Sequence, residues 1–295
     1  MSKFMRVSML TAFSFMIIVL VGCSVPKQMM AQPTTVPHYN FNAPSHTFDM
    51  PSVLKEISGI CLSADENMWY AVQDETASIY LIDAKSGAVQ AIQSFGTKGD
   101  FEDIARVGND VYVVKSDGTI AELKNFNSPQ QIVTLYRTSL EKENDVEGLC
   151  YDSLQQRLLV ACKGVTDAAN KRSIYAFSLS AKTLSAQPVY TIDTDSLSLF
   201  VKGLDKDEQG TLRLGPSAIA IHPQTGELYV LSSVNKVLLI LGSDGAIRHV
   251  EILDNSIHMQ PEGITFRHDG GLYISNEGKK KNDYIGKVYY FEPMR

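Results

Sequence analysis

Seven carboxylates fall in short phrases that recur along the chain, and six of them, all but Asp103, are candidate metal ligands. Glu56 opens Glu56-Ile57-Ser58-Gly59-Ile60, and Asp100 and Glu102 stand in Asp100-Phe101-Glu102-Asp103-Ile104. Asp145 and Glu147 stand in Asp145-Val146-Glu147-Gly148-Leu149, and Glu262 in Gln260-Pro261-Glu262-Gly263-Ile264; a further phrase, Gly215-Pro216-Ser217-Ala218-Ile219, has no acid. Carboxylates held within a few ångströms of one another raise each other's pKa and need a counter-charge to stay ionised. A bound cation supplies one, and an oxygen-only donor set suits Ca²⁺ or Mg²⁺ rather than zinc. Such a site has two uses. It can hold a small ligand or partner through the ion, or the ion can polarise a lactone or phosphate ester while a carboxylate activates water. The plainer alternative is that the acids accept backbone hydrogen bonds or are neutralised by Lys163 and Lys55. Binding is favoured over hydrolysis, because the chain has no Gly-x-Ser-x-Gly, no P-loop, no His-Glu-x-x-His and no Gly-x-Gly-x-x-Gly.

The elements that must position these acids are set by the spacing of the phrases. Taking Ser58, Glu102, Glu147, Ser217 and Glu262 as one column, the intervals are 44, 45, 70 and 45 residues. A period in the forties is that of propeller blades. After Ser217 the chain reads as apolar runs Ala218 to Ile221, Leu228 to Leu231, Val237 to Leu241 and His249 to Leu253, separated by turns rich in Gly, Asp and Pro. Four short strands of this kind make an antiparallel meander. The predicted fold is all-β, a propeller of five four-stranded blades. A sixth would have to hide in the insertion of about 25 residues between the third and fourth phrases, which is too short. The last unit lacks its fourth strand before the chain ends, and the alternating tract His46 to Met50 is predicted to supply it and close the ring, removing the exposed edges.

In such a meander the start of each innermost strand shares a face with the end of the second strand. Glu56, Asp100, Glu102, Asp145, Glu147 and Glu262 are therefore expected at one mouth of the axial channel as metal ligands. Asp74, Glu75, Asp117, Lys163, Asn235, Asn276 and Glu277 come from the adjoining strand ends, with Lys163, Asn235, Asn276 and Glu277 as ligand-binding candidates. The insertion, Asp193 to Leu214, opens onto the same face.

Ahead of this domain, Lys3 and Arg6 precede an apolar stretch from Met9 to Val21 that ends in Leu20-Val21-Gly22-Cys23. This is a targeting segment, and its end resembles the bacterial lipoprotein signal, which implies cleavage before Cys23 and lipidation of that cysteine. Residues 1–22 are then the signal peptide, 23–45 a flexible polar tether, and 46–295 the propeller domain. Several acyl chains anchor firmly at about 0.8 kcal/mol per buried methylene. Ser24 in place of Asp favours the outer membrane over the inner. Removing residues 1–22 leaves 25 basic against 33 acidic residues, so nucleic acid is not an expected partner. Cys61, Cys150 and Cys162 are odd in number and lack a CxxC pair, which points to buried inert thiols. His222 and His268 fall in equivalent turns and are expected to be exposed, and Asp205 to Gly210 to form an Asx turn rather than half a calcium loop.

The phrases Glu56-Ile57-Ser58-Gly59, Asp100-Phe101-Glu102-Asp103-Ile104, Glu147-Gly148-Leu149-Cys150-Tyr151 and Pro261-Glu262-Gly263-Ile264, with Leu272-Tyr273-Ile274-Ser275-Asn276-Glu277, resemble the SdiA-regulated family of bacterial envelope β-propellers over roughly residues 46 to 295. The resemblance implies a propeller fold and an exported or membrane-associated address. Relatives tend to carry an acidic residue before the serine of the fourth phrase, where this chain has Gly215-Pro216, so the acidic ring is incomplete.

Overall fold

The computed structural model of the chain describes residues 38–208, 210–279 and 284–294; Cys23, the expected point of lipidation, lies outside them. Five antiparallel sheets run outward from an axis in sequence order. Their innermost strands are Ile57–Leu62, Phe101–Val107, Val146–Asp152, Pro216–Ile221 and Pro261–Phe266, and each packs against the next around the ring. This is the predicted five-bladed propeller. Closure also follows the expectation. His46–Asp49 lies antiparallel to Lys287–Phe291, with His46 opposite Tyr290 and Asp49 opposite Lys287, and completes blade five.

The core is a set of seams between blades, which is why the middle strands read as unbroken apolar runs. Leu228–Ser232 and Val237–Leu241 are buried at every position. Leu231, Leu238 and Ile240 face blade five with Tyr289 and Phe291, whereas Val230, Val237 and Leu239 face blade three with Leu159 and Ile174. Each such side chain contributes about 1.5–3 kcal/mol on burial. The insertion is not a blade. It follows the strand Tyr190–Asp193 with one helical turn, Thr194–Leu197, capped by Asp193, and drops Leu197, Leu212 and Leu214 into the seam between blades three and four.

Among the described residues packing reaches back to His38, eight residues ahead of the expected boundary at His46. Tyr39 and Phe41 are buried in the seam between blades four and five, and the Tyr39 hydroxyl donates to the Gly270 carbonyl at 2.5 Å. This arm corrects the reading of His222, which is only 3% exposed. Its Nδ1 accepts from the Gln224 and Thr225 amides, both at 3.2 Å, so Nε2 carries the proton and donates to the Tyr39 oxygen at 3.0 Å. The turn itself, residues 223–226, is exposed; His222 alone is buried, because Tyr39 packs against it. His268, in the equivalent turn of blade five, is exposed as expected.

Candidate functional site

The recurring column is a recurring backbone device. In blades two to five the pairing of first and second strands slips by one residue at the column position, leaving Glu102, Glu147, Ser217 and Glu262 as the extra, unpaired residue of a β-bulge. In blade one the slip takes in Ser58 and Gly59. A bulge bends the strand and re-aims the residue at its apex. Here it is placed at the start of all five innermost strands, where they crowd the axis.

The residue after the bulge touches the neighbouring blade. A Cβ on Gly59 would come within 2.5 Å of the Asp103 Cα, and one on Gly263 within 2.6 Å of the Ser58 carbonyl oxygen. Gly148 is pressed against Ile219 and Ala161 in the same way. Asp103, in this position of blade two, is buried and accepts from the Leu149 amide of blade three at 2.7 Å and from the Ile104 amide at 2.8 Å. The Ser217 hydroxyl donates to the Pro261 carbonyl at 2.8 Å, and Ser275 to that of Ser58 at 2.7 Å. The Glu-Gly pairing thus has two separate causes: the glycine lets the ring close, and the acid occupies the mouth.

The acids do converge. Burial, then the charges of Glu147 and Asp100, push the Glu102 carboxyl up to about 9, with Glu262 adding to the effect. Glu147 is pushed up to about 8, chiefly by burial, although Lys163 Nζ donates to its Oε1 at 2.6 Å. Burial also raises Glu262, against the opposing charge of Lys163 and donation from Gln260 and Ser233. Glu277 is raised to about 7 by burial and by Glu262, Asp74 and Glu56. Lys163 stays protonated: its burial lowers it, but Glu147 outweighs that. Among the described residues no cation pairs with Glu102, and its hydrogen bond is to Asp100.

The other predicted residues divide. Asp100 stands at the rim, accepting from the Ser116 hydroxyl at 2.6 Å, and Glu56 acts on Glu277. Asp145 sits in a left-handed turn with φ 47° and its carbonyl accepts from the Lys163 amide. Asn276 lies opposite Pro261 in the register and buries both amide atoms with no partner among the described residues. Asn235 uses its side chain on the insertion, donating to the carbonyls of Asp205 at 3.0 Å and Arg213 at 2.7 Å and accepting from the Asp205 amide. Asp117 pairs with Lys115 at 3.4 Å. Lys236, which the sequence did not single out, is a second positive charge acting on Glu262; its position just after Asn235 in a repeated second-strand end was the available signal. The donors are oxygens of the type a hard divalent ion takes, yet among the described residues no three acidic, imidazole or thiol groups are gathered closely enough to hold a metal.

Behind the mouth, on the opposite face, the axis opens into a cavity of about 660 Å³ lined by all five innermost strands. Its lining includes none of the mouth carboxylates.

Fold and axis define a five-bladed β-propeller with a buried acidic mouth. The chain matches the sequence model of the SdiA-regulated family over residues 34–280 and belongs to that family. No curated protein matches it by sequence. Among solved structures it is similar to Myxococcus xanthus glutaminyl cyclase, at 12% identity and a TM-score of 0.58, over 86% of this chain and 97% of that one. It is also similar to a luciferin-regenerating enzyme, at 13% identity and a TM-score of 0.50, over 85% and 96%. At these identities the likeness is one of fold.

Proposed function

We propose that this protein is a lipid-anchored envelope propeller that binds a small, positively charged ligand or a partner's cationic group at the acidic mouth. The observation that carries the reading is the convergence of Glu102, Glu147 and Glu262 from three blades, Glu147 buried and the other two half-buried, with Lys163 and Lys236 as the cations acting on Glu262. A mouth with surplus acid in a low-dielectric setting favours an incoming cation. Ca²⁺ or Mg²⁺ fits the donor type but not the present spacing, so the ion is one candidate ligand and no chemistry is routed through it. Hydrolysis of lactones or phosphate esters is the second reading, favoured by carboxyls raised toward neutral pH, where a general acid or base works best.

Thermal melts with Ca²⁺, Mg²⁺ or spermidine, each against a chelator control, test the binding. A cation at a hundred times its dissociation constant is expected to stabilise by about 2.7 kcal/mol, and Glu147→Gln to remove most of that increment. No stabilisation by any of the three would overturn the reading. An esterase and phosphatase panel on the same samples decides the second.

A further inference from the structure

The cavity on the face opposite the mouth is lined by none of the mouth carboxylates. Its existence follows from one register of the innermost strands. Three residues past the column stand Cys61, Ala105, Cys150, Ala220 and Thr265, one per blade and all small, and all five line the cavity. The preceding register, Ile60, Ile104, Leu149, Ile219 and Ile264, also lies in its wall. The volume of about 660 Å³ falls in the range of about 300–1,000 Å³ typical of small-molecule sites. Ile221, Phe266 and the exposed Leu154 continue the apolar wall toward the rim.

Five charged or titratable side chains line it besides the thiols: Glu66, Arg106, Tyr151, His222 and His268; His222 is taken up by Tyr39 and its own turn. Glu66 is engaged, accepting from the His268 amide at 2.6 Å, meeting the His268 ring and pairing with Arg267 at 3.2 Å. Arg106 is not paired with an acid among the described residues. Its Nε donates to the Leu62 carbonyl at 2.9 Å and its Nη1 to that of Gly108 at 2.9 Å. A guanidinium has five N–H donors, so donors remain, held in place by the two that are used. The cavity therefore combines an apolar inner wall from the five strands with one cation, Arg106, that no acid among the described residues neutralises.

We infer that this funnel binds a small organic anion with an apolar body, such as a medium-chain carboxylate, its chain among the small-residue ring and its head group on Arg106. The guanidinium fork matches a carboxylate, and the ring of Cys, Ala and Thr leaves room that bulkier residues would fill.

The test uses 8-anilinonaphthalene-1-sulfonate as the fluorescent probe, displaced by octanoate and, for comparison, octanol. One saturable site per chain is expected, with octanoate displacing the probe at least tenfold more effectively than octanol. Arg106→Gln is expected to weaken octanoate at least tenfold and Arg106→Lys to restore much of the loss, which a purely structural arginine would not show. Thr265→Phe, which fills the barrel without touching Arg106, is expected to abolish both, and Glu102→Gln, at the mouth, to change neither. Melting curves of each variant verify that it is folded. Absence of a saturable site, equal displacement by octanol, or binding indifferent to both Arg106→Gln and Thr265→Phe overturns the inference.

Discussion

Replacing Glu102 by Gln keeps the shape of the side chain and removes its titration. In the folded protein, burial and the charges of Glu147 and Asp100 hold this carboxyl at about 9, against 4.5 for the free side chain. Above pH 4.5 the unfolded chain loses the proton while the folded chain keeps it, so stability falls as pH rises and levels off only past the folded value. Between 4.5 and pH 7 this amounts, at about 1.4 kcal/mol per unit, to about 3 kcal/mol. Glutamine carries no such penalty, and its amide can still donate to Asp100. Glu102→Gln is therefore expected to be neutral near pH 4.5 and stabilising by about 3 kcal/mol at pH 7, or about 6–12 °C in melting temperature for a domain of this size. The assay is a series of melts from pH 4.5 to 8 in chelator at low salt. Coupling to Glu147 and Glu262 spreads the titration over the group, so the slope is a better readout than a midpoint. A change in melting temperature that is the same at pH 5 and pH 8, or a loss of stability at pH 7, refutes the description of Glu102 as an acid buried among acids. A cation bound at the mouth would narrow the gap between wild type and variant at pH 7.

Gly263→Ala is expected to destabilise by about 1–3 kcal/mol through overpacking, because its Cβ would run into the Ser275 hydroxyl and come within 2.6 Å of the Ser58 carbonyl; a melt unchanged within error would show that the seam can give. Tyr39→Ala, which empties a fully buried position, is expected to lose about 3–5 kcal/mol by chemical denaturation, and Tyr39→Phe to lose only the hydrogen bonds to Gly270 and His222, about 1–2 kcal/mol. A chain beginning at Pro51 lacks the strand His46–Asp49, and its melting temperature should fall well below that of one beginning at His38; equal values would mean that blade five does not need its outer strand. Cys23→Ala is expected to move the protein from the membrane fraction to the soluble one and to end lipid labelling, which membrane residence of an unlabelled wild type would contradict.

The blades were readable because one register position repeats. Ser58, Glu102, Glu147, Ser217 and Glu262 each stand two residues before an Ile or Leu, at intervals of 44 or 45 residues except the 70 that spans the insertion, and a bulge that crowds the axis in every blade imposes that order. The missing strand was readable too, since an incomplete last unit leaves an edge that only the other chain end can cover. What was hidden depends on contacts between segments far apart in sequence. His222 looked like an exposed turn residue because nothing near it announces that Tyr39, 183 residues away, lies over it. Asn235 looked like a mouth ligand because its neighbours in register are, whereas the insertion takes up its amide. The glycines after Glu147 and Glu262 read as part of the acidic motif, but their cause is the approach of the next blade's backbone.

The same geometry explains why the two ends of the axis carry different chemistry. At the mouth the bulge turns one residue per blade inward, so the side chains placed there crowd one another, Glu147 and Ser217 buried and Ser58, Glu102 and Glu262 half-buried. Acids in that position raise one another's pKa, so Glu102, Glu147 and Glu262 persist only with protons, with Lys163 and Lys236, or with a cation from outside. Three residues further along, the strands have regained regular pairing, and their ring of Cys, Ala and Thr leaves volume without charge. The waist between them is fixed by contacts through Gly59, Asp103, Gly148, Ser217 and Gly263, at least one from every blade. A substitution at the mouth therefore changes the charge balance of Glu102, Glu147, Glu262 and Glu277 without altering the funnel's walls. A substitution at Thr265 or Arg106 does the reverse, so each site can be removed while the other reports that the ring is intact.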